Sequence, residues 1–471
     1  MPLGAPPGEG TNIAPDEAWA LDKAHVLHPW TNFGPFEDRG ALVIERGAGC
    51  WLWDSAGRKY FDAVGGLWCT NIGLGRREMA EAIAAQAERL AFSNTFVDMT
   101  NDVSARLAAK IAALAPGDLN RVHFTTGGST AVDSAVRMVQ YVQSCRGFPG
   151  KTHIVARENS YHGSTFLAQS VGKRHGDRVA EFRYQTEGIH HLTCPNPYRA
   201  PDGMGEAAFC DFLIAEFEDL IVRVGPDRIG GFIAEPIQAS GGVIVPPEGY
   251  LRRMWELCRR HGILFVADEV VTAFGRLGHW FASEDMFGVT PDIVTVAKGL
   301  SSGYVPVGAM VFSDAIWATM AENGERWFTS GFTYSGHPVA AAAALKNIEI
   351  LEREDLLGNA RRVGRVFEAR LKELEALPLV GQVRGRRLMM CVENVADKAT
   401  KRLLPEELEV GKRISDECEE MGLMVRPIGH LNVMSPPLVM TEDDADFVVR
   451  TLGRAIRKVA DRFVKERVAL G

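Results

Sequence analysis

The sequence lacks the long apolar segments and the excess of basic residues that mark membrane and nucleic-acid-binding proteins. No run of roughly 18 or more apolar residues occurs in the 471-residue chain, so no membrane-spanning helix is predicted. The formal net charge is −8, and Lys and Arg are scattered, which argues against a nucleic-acid partner or an anionic membrane surface. The sequence does not begin with a basic region followed by an apolar stretch, so we expect no signal peptide.

Patterns typical of disulfide frameworks, metal sites and dinucleotide sites are also missing. The eight cysteines show neither a C-x-x-C motif nor a regular spacing, which predicts reduced thiols in a cytoplasmic protein. We expect no metal, because the adjacent pair His190-His191 lacks ligand spacing and, with Cys194, is placed in a proline-rich loop. No strand is followed by a clean G-x-G-x-x-G, which counts against a dinucleotide-binding fold.

Length and pattern predict an α/β protein with more than one domain. A chain of this size is too long for a single core. From about residue 75, amphipathic helices alternate with short apolar runs. These runs predict strands at residues 122–126, 153–156, 231–234, 263–267, 293–297 and 308–312. The alternation predicts a mostly parallel sheet with helices on both faces and with ligands at the carboxyl ends of its strands.

The two ends of the chain differ from this alternating region. Residues 42–57 alternate apolar and polar positions around turn glycines, which predicts a small antiparallel unit. The last stretch of about 95 residues mixes strands with helices, as a smaller α+β domain does. We therefore assign residues 1–66 and 340–471 to a small domain and residues 67–339 to a large domain. The first fifteen or so residues, rich in Gly and Pro, are expected to form a mobile tail.

Two of the predicted strands end in a charged residue. Lys298 follows the apolar residues 293–297, and Asp268 follows residues 263–267. A free lysine amine has a pKa near ~10.4, so a nucleophilic lysine needs a special site. An imine with a carbonyl partner is one solution, and pyridoxal phosphate is a partner whose ring nitrogen needs an acid opposite. An exposed lysine after an edge strand is the ordinary alternative.

Three further strand ends carry polar or glycine-rich segments. The motif Gly127-Gly128-Ser129 follows the first predicted strand, and its amides and hydroxyl suit a phosphate as well as they suit an ordinary helix cap. Tyr161 follows the second strand, where it could stack on a flat ring or pack on a core edge. Residues 235–238 close the third with a carboxylate and an amide. Independent packing rarely places so many polar groups on one side of a sheet.

These segments, in this order, resemble a known family. The chain is similar over essentially its whole length to class III, fold-type I, pyridoxal-phosphate-dependent aminotransferases, and among them to the ω-amino acid or amine:pyruvate transaminases. The resemblance implies a large domain with a seven-stranded-type sheet and a smaller α+β domain built from both chain ends. The segments that carry it are Leu27-His28-Pro29-Trp30, Gly66-Leu67-Trp68-Cys69, Tyr161-His162-Gly163, Asp268-Glu269-Val270, Ala297-Lys298-Gly299-Leu300, Gly331-Phe332-Thr333-Tyr334-Ser335-Gly336-His337-Pro338, Val425-Arg426-Pro427 and Ser435-Pro436-Pro437-Leu438.

The resemblance also implies roles for individual residues. Lys298 forms the imine with pyridoxal 5'-phosphate and moves the proton between Cα and C4′, while Asp268 keeps the ring nitrogen protonated. The other implied cofactor contacts are Gly128, Ser129, Tyr161, His162, Gln238, Val270 and the partner subunit's Thr333. The implied substrate contacts are Trp30, Trp68, Arg426 and, from the partner subunit, Phe96 and Phe332, with Arg426 on the carboxylate of a 2-oxo acid.

The chain departs from many members of this family at two positions. Thr130 stands where many relatives have Glu after the phosphate-site serine or threonine, and His430 stands where many have Asp. The lost carboxylate belongs to helix-start contacts, so we expect the phosphate site to survive with altered detail. We expect the second change to affect how Arg426 is oriented.

The reaction implied by the resemblance is a two-step ping-pong transamination. An amine or ω-amino acid such as β-alanine gives up its amino group, and pyruvate or a similar 2-oxo acid accepts it. The expected assembly is a homodimer with shared active sites, with a tetramer left open. An aminomutase or a decarboxylating transaminase of the same fold is the alternative within the cofactor class. A catalytically silent binding protein is the alternative outside it.

Overall fold

The computed structural model describes residues 15–468 and residue 470, so the predicted mobile tail lies almost wholly outside the described residues. The helices are α1 (Pro15–His25), α2 (Phe33–Arg39), α3 (Gly65–Trp68), α4 (Arg77–Arg89), α5 (Asp102–Leu114), α6 (Gly128–Cys145), α7 (Phe166–Val171), α8 (Glu206–Val224), α9 (Tyr250–Arg260), α10 (Ala282–Phe287), α11 (Asp314–Ala321), α12 (Pro338–Arg353), α13 (Leu356–Lys372), α14 (Val410–Glu420) and α15 (Glu442–Lys465). The strands are β1 (Ile44–Ala48), β2 (Trp51–Asp54), β3 (Lys59–Asp62), β4 (Leu119–Thr125), β5 (His153–Arg157), β6 (Ile189–Leu192), β7 (Ile229–Ala234), β8 (Leu264–Asp268), β9 (Ile293–Val296), β10 (Gly308–Ser313), β11 (Val380–Arg386), β12 (Met389–Asn394), β13 (Leu423–Met424), β14 (Arg426–Ile428) and β15 (Leu431–Met434).

A seven-stranded sheet in the order β4-β10-β9-β8-β7-β5-β6 forms the centre of the protein. Strands β9, β8, β7, β5 and β6 pair in parallel, whereas β10 is antiparallel to both β4 and β9. Strands β7 to β10 are buried on both faces because helices cover the sheet on each side. Side chains such as Ile233 and Val266 pack with α6, and their neighbours Phe232 and Phe265 pack with α8 and α9. The predicted α/β fold with a mostly parallel sheet is confirmed.

The six strands predicted in this region all occur, with bounds that differ by a few residues. The strand β6 is absent from the prediction, which placed His190-His191 in a loop, and that placement is wrong. The strand β6 runs parallel to β5 at the edge of the sheet, and Nδ1 of His153 lies 2.9 Å from Nε2 of His190. Only Ile189 and Leu192 are apolar in this four-residue strand, too little for a recognisable pattern. The described residues contain no cluster of metal-ligating side chains.

The two ends of the chain form the smaller part of the structure together. Strands β1, β2 and β3 are antiparallel, as expected for residues 42–57, and β13 adds to β3 in parallel. A second four-stranded sheet has the order β11-β12-β15-β14. The predicted domain limits at 66/67 and 339/340 fall inside α3 and the first turn of α12, and they stay a prediction. The longest helix, α15, is amphipathic, and no described helix combines the length and apolar character that a bilayer requires.

The side chain of Arg276 ties the ends of the chain to the central sheet. It is fully buried, and it donates hydrogen bonds to the carbonyl oxygens of Leu388 (3.0 Å) and Pro436 and to Oδ1 of Asn71 (2.8 Å). Burial lowers the pKa of Arg276 to about 10, and electrostatic interactions with Cys69, Asp62 and Cys50 oppose part of that shift. One guanidinium therefore joins segments that are far apart in the sequence.

Replacing Arg276 with Met is expected to lower the free energy of unfolding by about 2–4 kcal/mol, because it leaves three buried acceptors without a donor. Urea unfolding followed by circular dichroism measures the change. The matched control is Arg252→Met, which removes only an exposed pair with Glu256 and should cost under about 1 kcal/mol. Equal losses in the two variants would contradict a structural role for the Arg276 hydrogen bonds.

Candidate active site

The carboxyl ends of four neighbouring parallel strands meet at one edge of the central sheet. Asp268 ends β8, Glu235 follows β7, and Lys298 follows β9 after one residue. The loop after β5 carries Tyr161 and His162. All five side chains line one cavity of about 340 Å³. Sheets of this type bind ligands at this edge, and the order of strands explains why residues distant in sequence meet there.

The carboxylate of Asp268 is buried, and both of its oxygens have hydrogen-bond partners. Its Oδ2 lies 2.6 Å from Nδ1 of His162, and its Oδ1 accepts hydrogen bonds from Thr295 Oγ1 at 3.0 Å and from the Val270 amide at 3.2 Å. The Nε2 atom of His162 is buried without a hydrogen-bond partner among the described residues. The carboxylate thus has a fixed orientation in a site where little water can compensate its charge.

Lys298 lies deep in the protein, and the accessible part of its side chain faces the cavity. Its backbone is left-handed, with φ of 40°, which is uncommon for a residue other than glycine and marks a constrained position. Burial lowers the pKa of the Lys298 amine, and the nearby negative charge of Asp268 opposes that shift in part. Its Nζ atom makes no hydrogen bond to the described residues. The amine is therefore available to a ligand in the cavity.

Glu235 adds a second buried carboxyl group that the sequence analysis had not assigned a role. Its two oxygens accept hydrogen bonds from the amides of Tyr161 at 3.1 Å and Ala239 at 2.8 Å. Burial raises the pKa of Glu235; His162 counteracts this effect, and the charge of Asp268 reinforces it. Glu235 thereby fixes the loop that carries Tyr161 in place against the sheet.

The start of α6 forms a narrow cradle on another wall of the cavity. A Cβ atom at Gly128 would come within 2.9 Å of Val270, and one at Gly163 would come within 2.6 Å of the Ser129 hydroxyl oxygen. Both positions therefore require glycine. Thr130 turns its hydroxyl back to the carbonyl oxygen of Gly127 (2.9 Å), so it contributes to the helix start, not to the cavity. The free amides of an 18-residue helix favour an anion at this end.

Arg426 opens the strand β14, which follows the two-residue strand β13. The half-buried guanidinium lines the cavity and makes no hydrogen bond to the described residues. Burial lowers the pKa of Arg426, and the positive charge of Arg174 lowers it further. His430 lies beyond this strand, where its Nε2 is 2.7 Å from the carbonyl oxygen of Leu404. It does not contact Arg426.

Two tryptophans and an unexpected arginine complete the walls. Trp68 is buried, Trp30 is 58% exposed, and the Trp30 ring lies 6.1 Å from the ring of Tyr161. Arg174, in the segment after α7, also lines the cavity, and the sequence analysis did not identify it. It lies in a loop without periodic pattern, so no sequence signal pointed to it.

Four residues predicted for the site lie outside this cavity. Gln238 is buried beside it, where Nε2 donates to the carbonyl oxygen of Glu158 at 2.9 Å and Oε1 faces the thiol of Cys194. The structure therefore does not bring Gln238 to the cavity. Phe96, Phe332 and Thr333, predicted to serve a partner subunit, lie at the surface and not in the cavity of their own chain.

Comparisons with known proteins agree with this arrangement. The family described as Aminotransferase class-III matches residues 35–456. A putrescine–pyruvate aminotransferase of Pseudomonas aeruginosa is 38% identical over 94% of this chain and 96% of its own length. A mitochondrial γ-aminobutyrate transaminase 1 of Oryza sativa subsp. indica is 36% identical over 93% of this chain and 86% of its own.

Solved structures give the same result. An (S)-enantioselective ω-transaminase from Thermomicrobium roseum has a TM-score of 0.91 at 41% identity, over 94% of this chain and 98% of that one. The ω-transaminase of Pseudomonas jessenii in complex with PMP has a TM-score of 0.90 at 35% identity, over 94% of this chain and 98% of that one. The chain therefore belongs to the class III aminotransferases and is an enzyme that transfers amino groups.

Proposed function

We propose that the protein is a pyridoxal-phosphate-dependent aminotransferase that moves an amino group from an amine or ω-amino acid, such as β-alanine, to pyruvate or a similar 2-oxo acid. The observation that carries the proposal is the placement of Lys298 and Asp268 in one cavity at neighbouring strand ends. The names of two relatives, a putrescine–pyruvate aminotransferase and an ω-transaminase in complex with PMP, support the substrate and cofactor classes.

The residues of the cavity fit pyridoxal phosphate. The start of α6, with Gly128 and Ser129, suits the phosphate group, and Tyr161 and Val270 offer flat and branched apolar surfaces to a ring. Asp268 offers a carboxylate to the ring nitrogen. When bound, the cofactor holds the amino group of the substrate and takes up the electrons that are freed when Cα loses its proton.

The protein's own contribution is to hold charges and to move one proton. Burial favours the neutral form of the Lys298 amine, so Nζ could accept the proton from the substrate Cα and would hold it for return to the substrate when the cofactor is bound. His162 and Thr295 keep the Asp268 carboxylate in place, so its charge would stabilise a protonated ring nitrogen of the cofactor without reorganisation. The buried strand ends exclude water from these groups.

Lys298→Ala is expected to abolish transamination while leaving part of the cofactor bound through its phosphate and ring contacts, because it removes the amine proposed to accept the Cα proton. Turnover with pyruvate and cofactor absorbance after gel filtration measure the two effects. Lys372→Ala is the matched control, since Lys372 is an exposed lysine paired with Glu375 and lines neither this cavity nor its neighbour. Near-normal turnover in the Lys298 variant would overturn the assignment.

Arg426 is proposed to bind the carboxylate of the 2-oxo acid. Its guanidinium faces the cavity and makes no hydrogen bond to the described residues, and a guanidinium matches a carboxylate through two parallel bonds. A carboxylate placed there would also compensate the repulsion between Arg426 and Arg174. An amine that lacks a carboxylate does not need the Arg426 guanidinium for binding.

Arg426→Ala is expected to weaken the reaction with pyruvate by about 1.5–3 kcal/mol, roughly ten- to a hundredfold, the worth of a hydrogen bond to a charged group. The half-reaction with an arylalkylamine should stay nearly unchanged. Stopped-flow absorbance of each half-reaction gives the comparison, with Arg413→Ala, an exposed arginine paired with Glu466, as the control. Equal losses in both half-reactions, or none in either, would exclude this role.

We also propose a homodimer in which each subunit completes the site of the other. The segment with Phe332 and Thr333 packs on the loop with Phe96, and Thr95 Oγ1 donates to the Ser335 carbonyl oxygen at 3.0 Å. Around this contact, several large apolar side chains are about half exposed or more, which is typical of an interaction surface: Phe92, Phe96, Val97, Met99 and Tyr334.

We also propose a cytoplasmic location for the protein. The free thiols of all eight cysteines support this location, because disulfides are rare in the cytoplasm.

Mixing the Lys298→Ala variant with a Thr333→Ala variant tests the shared site. If the partner subunit's Thr333 completes the phosphate site, heterodimers regain one working site, and activity should approach a quarter of the wild-type value after subunits exchange at random (about one half of molecules with one of two sites). Mass spectrometry of differently tagged subunits confirms exchange. No gain in activity after complete exchange would contradict the shared site.

A further inference from the structure

Arg174 places a second guanidinium in the wall of the active-site cavity. The side chain is almost completely buried, and Nη2 donates a hydrogen bond to the carboxylate of Asp177. Its guanidinium carbon lies 5.1 Å from the ring centre of Tyr161 and 5.7 Å from that of Trp30. The aromatic faces and Asp177 thus fix the plane of the guanidinium.

The donor capacity of this guanidinium is only partly used. Asp177 engages Nη2, while Nε and Nη1 have no hydrogen-bond partner in the described part of the chain. Asp177 is itself shared, since Oδ1 also accepts from Trp30 Nε1 at 3.1 Å. A guanidinium carries five N–H donors, and a buried one gains most from a bidentate acceptor.

Charges are distributed unequally within the cavity. The carboxylates of Asp268 and Glu235 lie at the strand ends with Lys298 and His162. Arg174 and Arg426 both line the cavity, and Asp177, which is paired with Arg174, supplies a single opposing carboxylate. This end of the cavity therefore carries a net positive charge. It suits a carboxylate and repels a second ammonium group.

Arg174 also marks the direction in which the cavity continues. Together with Ser240 it lines both the active-site cavity and a second cavity of about 590 Å³, so these residues lie where the two meet. A substrate whose amine is at Lys298 and whose chain extends away from the sheet passes this junction. Its far end then meets Arg174 first.

We propose that Arg174 binds the distal carboxylate of the amino donor and selects ω-amino acids over simple alkylamines and diamines. The inference rests on the proposed function and adds the class of donor to it. Arg426 still binds the carboxylate of the 2-oxo acid. That carboxylate is bonded to the reacting carbon. The two guanidiniums thus recognise carboxylates at different distances from the reacting nitrogen.

The first test compares ω-amino acids of three to six carbons with alkylamines of the same length in the amine half-reaction of the holoenzyme. In Arg174→Gln the ratio of kcat/KM between each matched pair should fall about ten- to a hundredfold for the best-fitting length, the effect of one lost charged hydrogen bond. The pyruvate half-reaction should change much less than the amino-acid half-reaction, because the carboxylate of pyruvate binds to Arg426. Arg174→Lys, which keeps the charge but not the fork, should fall between the two. Lys173→Gln is the control, because it removes a neighbouring exposed charge that lines neither cavity.

The second test measures binding without turnover. Calorimetry with pentanoate in the Arg426→Ala protein should show an affinity that drops about tenfold or more when Arg174→Gln is added. This binding measurement tests the role of Arg174 even if no donor transfers its amine to pyruvate. Such a lack of transfer would contradict the proposed function and not the role of Arg174. An unchanged ratio in the first test, equal losses with amino acids and alkylamines, or a wild-type preference for 1,5-diaminopentane over 5-aminopentanoate would each overturn the inference.

Discussion

The site depends on keeping one carboxylate and one amine in a region that water hardly enters. Asp268 and Lys298 stand at the ends of neighbouring strands, and each is costly to bury alone. The hydrogen bonds from His162, Thr295 and the Val270 amide offset that cost for the carboxylate. The amine has no such support, so burial favours its neutral form. The sheet that surrounds both groups is therefore what makes the lysine reactive.

The acidic and the cationic side chains of the cavity come from different parts of the structure. Acidic groups lie at the strand ends, which belong to the rigid core of the sheet. Cationic groups come from less regular parts of the chain, with Arg174 after α7 and Arg426 on a short strand of the small part of the structure. In the proposed function, the reacting groups belong to the central sheet, whereas the groups that recognise the substrate belong to segments that can vary without disturbing it.

The sequence predicted those features that depend on local pattern. Strands that are buried on both faces show continuous apolar runs, so the sheet, Lys298 and Asp268 could be placed without the structure. Gln238 shows the limit of this reasoning, because its backbone pairs with Ile244 and its amide donates to the Glu158 carbonyl oxygen, and it does not line the cavity. Arg174 could not be found, since its position depends on tertiary contacts of a loop. The proposed role of Thr333 depends on a second chain, which no local pattern describes.

The parallel pairing of β13 with β3 has a consequence for synthesis on the ribosome. Backbone bonds from Phe61 to Gly422 and from Ala63 to Met424 join two segments separated by most of the chain. At typical translation rates, roughly 20–70 s pass before β3 can meet its partner. During that time its edge offers unpaired amides and carbonyls to any other nascent strand. The edge of β3 therefore stays unpaired for most of the time that the ribosome takes to synthesise the chain.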